Sequence, residues 1–205
     1  MSKKFPEALH TQELLYQALE TELGGIRIYA SALPCAMNED LHEEWEACLV
    51  HTRLHRDLLL DAFRRLGLDP DTQTVGRQVA AFQGKSLVRA IELTYQAGDP
   101  VAAQITAAEC VVLAGTKAQL NWELIGLVAQ ASKGELARVL QAAHEQVQLE
   151  ESRRLYCTKG WTRELWMESL GLPAILPPDE EASQVEMAQD ASRLEQQRER
   201  VGWVH

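Results

Sequence analysis

Long apolar runs and an excess of basic residues are both missing from this sequence. No stretch approaches the roughly 18 apolar residues that a membrane-spanning helix needs, so we expect no membrane partner. Thirty acidic residues against twenty basic residues give a formal net charge of −10. Because phosphate binding requires a basic face, nucleic acid is not an expected partner either.

The chain has few cysteines, and their spacing argues against two common uses of that residue. No Cys-x-x-Cys motif suggests a zinc ribbon, and the wide separation does not suggest a disulfide framework. Buried, reduced thiols are expected at Cys35, Cys48, Cys110 and Cys157. Lys3 and Lys4 precede no apolar core, so we expect no secretory signal. These features together predict a cytoplasmic protein.

Proline and glycine are also scarce, which leaves long stretches free to form helices. Several of the seven prolines and twelve glycines cluster at apparent breaks, and 46% of the residues are hydrophobic. This pattern predicts an all-α fold. Asn38 and Asp99 are good N-caps, Pro100 suits a first helical position, and Ser132 with Glu135 has the spacing of a capping box. Four long helices are predicted, over residues 6–33, 38–67, 99–131 and 132–170.

The stretch between residues 71 and 98 is less regular and predicts one or two small helices within a long connection. Two short-looped helix pairs joined by one long crossover fit the plan of a four-helix bundle. We therefore predict a bundle domain over residues 1–171. Residues 172–205 begin as a proline-rich linker and become rich in Glu, Gln and Arg, which predicts a polar C-terminal tail or a peripheral helix.

The first two predicted helices interrupt their apolar seams with polar side chains. Glu22 lies between Leu19 and Ile26 on the inward face of the first helix. Thr52 and His55 occupy two successive seam positions of the second helix. Both helices are therefore expected to carry ionisable groups into the core.

The last two predicted helices repeat this interruption. Glu109 continues a stripe through Ile105 and Val112, and Glu151 and Arg154 fall on the inward face of the fourth helix. An uncompensated buried carboxylate costs several kcal/mol, whereas a whole domain is stable by only about 5–15 kcal/mol. We therefore expect these carboxylates to be protonated, solvated or neutralised by a cation, and the cation is either a metal ion or Arg154.

At this point the chain resembles the ferritin-like superfamily, over about residues 7–170. Glu22 followed by Tyr29 is similar to the family's first metal-bearing helix. The second helix, with His55, resembles the family's second helix, which also carries a histidine. Glu109 matches the lone glutamate of the third helix. Residues 121–161 resemble the end of the third helix and the body of the fourth.

The resemblance implies a di-iron or di-manganese site, built from single glutamates and Glu-x-x-His pairs. Carried over residue by residue, it assigns the ligand positions to Glu22, His55, Glu109 and Glu151. Two positions depart from the family's ligand pattern. Thr52 stands where the second helix should carry Glu, and Arg154 stands where the fourth helix should carry His. A hydroxyl cannot replace a bridging carboxylate and a guanidinium does not bind metals, so we expect an incomplete or mononuclear site.

Two hypotheses remain open. In the first, iron, manganese or zinc is bound by these ligands, with His51 as a further ligand one turn before His55. The resemblance then implies oxidation of Fe(II) by oxygen or peroxide. In the second, Arg154 neutralises the carboxylates without a metal, and the bundle serves assembly or binds a partner protein. A homo-oligomer is compatible with both.

Overall fold

The computed structural model describes residues 8–173, apart from the side chains of residues 148–154 and 156. Within this range the regular elements are all helices and no strand is present, which confirms the predicted all-α class. Of the predicted tail, residues 174–205 lie outside the described part. The helices are α1 (Ala8–Ala32), α2 (Glu39–Leu66), α3 (Val75–Ala97), α4 (Pro100–Ala131) and α5 (Gly134–Ser169), with a short 3₁₀ turn at Leu33–Cys35.

Three of the predicted helix termini are confirmed by their capping geometry. The Asn38 side chain accepts a hydrogen bond from the Leu41 amide at 3.2 Å and so caps α2. Asp99 accepts from the amides of Val101 and Ala102 at 3.0 and 3.1 Å at the start of α4. Gly67 ends α2 with a φ of 67°, a left-handed conformation that glycine adopts without strain.

The predicted capping box at the start of the last helix is wrong. Ser132 closes α4 instead, since its amide donates to the Val128 carbonyl at 2.9 Å. α5 begins only at Gly134, whose φ of 68° lets the chain reverse direction between the two helices.

The connection after α2 is also more regular than predicted, because it contains a single 23-residue helix, α3. The Thr74 hydroxyl caps its start by accepting from the Arg77 amide at 3.1 Å, and Gly98 ends it with a φ of 79°. α3 packs against both α1 and α4.

The buried apolar side chains form two clusters along the helix axes. One cluster joins the end of α1 to the start of α2, to α3 and to the start of α4, around Trp45 and Val111. The other joins the start of α1 to the end of α2, to the second half of α4 and to α5, around Phe63 and Val147. On α1 and α2, the stretch between the two clusters contains Glu22, Thr52 and His55.

The chain divides into two compact units, Met1–Leu165 and Trp166–His205. All the contacts described above belong to the first unit. In the described part of the second unit, the Leu172 amide donates to the Met167 carbonyl at 2.8 Å, and Gly171 has a φ of 67°. The predicted domain boundary after residue 171 stays a prediction. None of the described helices has the length and apolar character that a membrane span requires.

Candidate functional site

Glu22 is the most deeply buried carboxylate among the described residues, with 2% of its surface exposed. It lies on α1, three residues before Gly25, where a Cβ atom would come within 3.1 Å of the Thr52 methyl group. The absence of that Cβ lets α1 and α2 approach closely. The indole N–H of Trp122, on α4, donates to Glu22 Oε1 at 2.8 Å in the protein interior. This bond compensates part of the cost of removing the carboxylate from water.

His55 approaches the same carboxylate from α2. Its side chain is fully buried, and its Nδ1 atom lies 3.9 Å from Glu22 Oε2. The imidazole also meets the Trp122 ring edge-on, with the ring centroids 5.7 Å apart and the planes at 69°. Three helices thus bring a carboxylate, an imidazole and an indole together, and the indole holds one carboxylate oxygen while the other faces the imidazole.

A small cavity of about 30 Å³ adjoins Glu22. Its walls include Tyr29 from α1, Thr52 from α2, Gly115 from α4 and Thr158 from α5. A space of this size holds about one water molecule or one small ion. The Thr52 hydroxyl donates to the Cys48 carbonyl at 2.8 Å, so its hydrogen is used within α2.

The prediction that Glu109 faces the interior is wrong, because its side chain is exposed. The inward face of α4 instead follows Ala107, Val111, Ala118 and Trp122, and Gly115 on that face lines the cavity. α4 is rich in Ala, Val, Leu and Ile on several sides, so the apolar pattern does not fix which face turns inward. The structure therefore brings Glu22 and His55 together without Glu109.

The remaining predicted ligands are only partly described. His51 is half-buried one turn before the fully buried His55. Glu151 and Arg154 lie in the helical backbone of α5, but their side chains are outside the described residues, so their roles stay predictions. Across the described part of the chain, no three His, Cys, Asp or Glu side chains are grouped so as to hold a metal ion.

Two residues that shape this site were not predicted from the sequence. They are Trp122, which lies beside the carboxylate, and Gly115, which lines the cavity. The signal was available in the spacing of Gly115, Ala118 and Trp122, which follow one another at steps of three and four and so share a helix face.

No protein-family model matches this chain, and no curated protein or solved structure proves similar to it.

Proposed function

We propose that the chain is a ferritin-like metal-binding protein. In this proposal α1, α2, α4 and α5 form a four-helix bundle, α3 is the crossover, and Glu22 with His55 binds one ion of iron, manganese or zinc. The arrangement of the second apolar cluster, which takes residues from those four helices, supports the bundle. The Glu22–His55 pair, buried and 3.9 Å apart, is the observation that carries the metal site.

The two side chains fit such an ion by donor chemistry and by distance. Carboxylate oxygen and imidazole nitrogen are common ligands of iron, manganese and zinc. Bonds of about 2.1 Å to each donor span up to about 4.2 Å, so an ion can contact both groups without a large rearrangement. Trp122 keeps Glu22 oriented, as partners beyond the ligands of metal sites do.

A single ion fits the surroundings better than a pair of ions. Thr52 on α2 and Gly115 on α4 line the cavity at positions that offer no carboxylate, and a dinuclear site of this family needs several. A bound ion needs a third protein ligand, and the sequence proposes Glu151 for it. Oxidation of Fe(II) by oxygen or peroxide is the reaction that the family resemblance implies for such a site.

Metal content tests this proposal directly. The protein is purified without chelator, exposed separately to Fe(II), Mn(II) and Zn(II), desalted and analysed by elemental mass spectrometry. We expect about one ion of at least one metal per chain. Glu22→Gln and His55→Gln should lose it, because each removes a ligand at nearly constant volume, whereas the matched control Glu109→Gln should keep it. Fe(II) oxidation is followed by absorbance in the same samples.

A chelator gives an independent measurement. Because a ligand that binds only the folded state stabilises it by mass action, EDTA should lower the melting temperature of the wild type but not that of Glu22→Gln. Wild-type protein that stays well below one ion per chain with all three metals rules the proposal out. Equal metal content in wild type and Glu22→Gln rules it out as well.

A metal-free bundle is the second candidate, and the cavity lining favours it, because Glu22 is the one carboxylate among the described residues that line the cavity. With Thr52 and Gly115 in place of carboxylates and one oxygen of Glu22 bonded to Trp122, a single guanidinium suffices to balance the charge. We propose Arg154 for that role, in a protein that serves assembly or partner binding. Arg154→Leu should then destabilise the fold by about 3–5 kcal/mol, and EDTA should leave the melting temperature unchanged.

A further inference from the structure

A groove of about 410 Å³ lies between α1, α3 and α4, apart from the Glu22–His55 pair. Beside the groove, Gly24 and Gly84 let α1 and α3 pack closely, because a Cβ on Gly84 would lie 3.2 Å from the Gly24 Cα atom. Phe82 and Leu113 line the groove and are 72% and 58% exposed. The volume lies within the range of about 300–1,000 Å³ that is typical of small-molecule pockets.

Lys117 is the one ionisable side chain among the described residues that line this groove. The other lining residues are apolar, glycine or neutral polar. Lys117 Nζ donates to Asn121 Oδ1 at 2.8 Å, and Asn121 Nδ2 donates to Thr21 Oγ1 at 3.1 Å, so the ammonium group is held at the α1–α4 side. A single cation therefore lies at a fixed place in a largely apolar groove.

No carboxylate of the described residues balances the charge of Lys117. In the described part of the chain no carboxylate lies within ion-pairing distance of Nζ, and one of its three donors is used by Asn121. Partial burial removes some of the hydration of the ammonium and so lowers the pKa of Lys117. An anion next to Nζ would compensate for the lost hydration by accepting a charge-assisted hydrogen bond.

We propose that this groove binds a small anionic amphiphile of the fatty-acid type. The carboxylate pairs with Lys117, and the alkyl chain lies along Ala80, Gly84, Phe82 and Leu113. Apolar contact gives the affinity for the chain, and the ammonium selects the charge of the headgroup.

The occupant is a free molecule rather than a lipid in a membrane. The formal net charge of −10 repels an anionic bilayer surface. For a single small ligand, the nearby ammonium dominates the electrostatic interaction, because charges beyond about 8 Å are screened at physiological salt.

The test is a calorimetric titration with decanoate, below the concentration at which it forms micelles. Saturable binding at one site is expected. Lys117→Met should weaken decanoate binding about tenfold or more, the loss of one charge-assisted hydrogen bond, while decan-1-ol should bind both proteins equally. Lys85→Met is the matched control, because Lys85 is an exposed residue of α3 that does not line the groove, and it should leave decanoate binding unchanged.

A second variant tests the place of binding without touching the charge. Ser86→Trp fills the groove from an exposed position of α3 and should abolish the binding of both decanoate and decan-1-ol, with circular dichroism confirming that the fold is intact. Three outcomes overturn the proposal: equal decanoate affinity in the Lys117→Met and Lys85→Met variants, unchanged binding in Ser86→Trp, or binding only to anionic phosphatidylglycerol vesicles.

Discussion

At the scale of single residues, the hydrogen bond from Trp122 to Glu22 offers a direct measurement of how the buried carboxylate is stabilised. The two atoms are 2.8 Å apart, and both side chains are about 2% exposed. Trp122→Phe keeps an aromatic ring but removes the donor, and an unsatisfied buried acceptor costs about 1–3 kcal/mol. We expect urea unfolding at neutral pH to show at least that loss of stability.

Trp45→Phe is the control for the packing that any buried Trp→Phe substitution loses. Trp45 is 1% exposed, and its indole contacts no carboxylate through a hydrogen bond in the described residues. A double-mutant cycle with Glu22→Met should give a coupling energy of about 0.5–3 kcal/mol for the Trp122–Glu22 pair. Additive effects of the two substitutions would show that the bond contributes nothing to stability.

The sequence predicts Glu22 and His55 correctly as buried residues because α1 and α2 alternate apolar and charged side chains, so that their seams can be identified. It fails at Glu109 because α4 is apolar on several sides. Which face of such a helix turns inward depends on its neighbours, and a single sequence does not contain those contacts.

At the scale of elements, Arg77 links the N-terminal end of α3 to its neighbours through hydrogen bonds. This side chain is 6% exposed, and its Nε donates to Glu20 Oε2 on α1 at 3.2 Å. Its Nη1 also donates to the carbonyls of Pro70 and Thr72, at 3.0 Å for Thr72. One guanidinium thereby joins α1, α3 and the loop before α3.

Removing that guanidinium should destabilise the protein strongly. Arg77→Met leaves two loop carbonyls without this donor and leaves Glu20 with Arg27 as its other ion-pair partner. Breaking a buried pair from one side costs about 3–5 kcal/mol, and urea unfolding should show a loss near the lower end, because Arg27 still reaches Glu20. Faster hydrogen exchange should appear first in the amides of α3.

Arg89→Met on the same helix is the control. Among the described residues its guanidinium pairs with Glu92 alone, at the surface and at 3.4 Å, and such pairs contribute about 0.2–1 kcal/mol. If the Arg77 and Arg89 variants are equally stable, Arg77 does not anchor α3.

The length of α3 illustrates what sequence periodicity leaves out. Its buried residues are few, since only Arg77, Ala80, Gly84 and Ile91 are buried among its described 23 residues. One of them is charged and one is glycine, so the apolar stripe looks short although the helix is long. Capping residues are more informative here, because Thr74 and Gly98 mark both ends.

At the scale of the whole molecule, the buried thiol of Cys110 links folding to alkaline pH. Cys110 is 4% exposed in the first apolar cluster, and its Sγ donates to the Leu87 carbonyl at 3.6 Å. Burial, and to a lesser extent the charge of Glu109, raises the pKa of this thiol from 9.0 to about 11. Between these values the unfolded chain releases the thiol proton while the folded chain keeps it.

Because the folded state then binds more protons than the unfolded state, stability must fall as pH rises through that interval. For this one group the loss at pH 10.5 is at most about 2 kcal/mol, since each pKa unit corresponds to about 1.4 kcal/mol. Cys110→Ala should therefore lose less stability than the wild type between pH 8 and pH 10.5, as measured by urea unfolding at each pH. The cavity left by the substitution lowers stability by a similar amount at both pH values, so it cancels in the comparison.

Tyrosine and lysine residues also titrate in this range, but they are common to both proteins and cancel likewise. Glu109→Gln provides an intermediate case, because it removes the smaller cause of the raised pKa and leaves burial in place. Its loss of stability should lie between those of the wild type and Cys110→Ala, and closer to the wild type. Parallel stability curves for all three proteins would mean that the Cys110 thiol ionises as readily inside the folded protein as in the unfolded chain, which is incompatible with its place in the core.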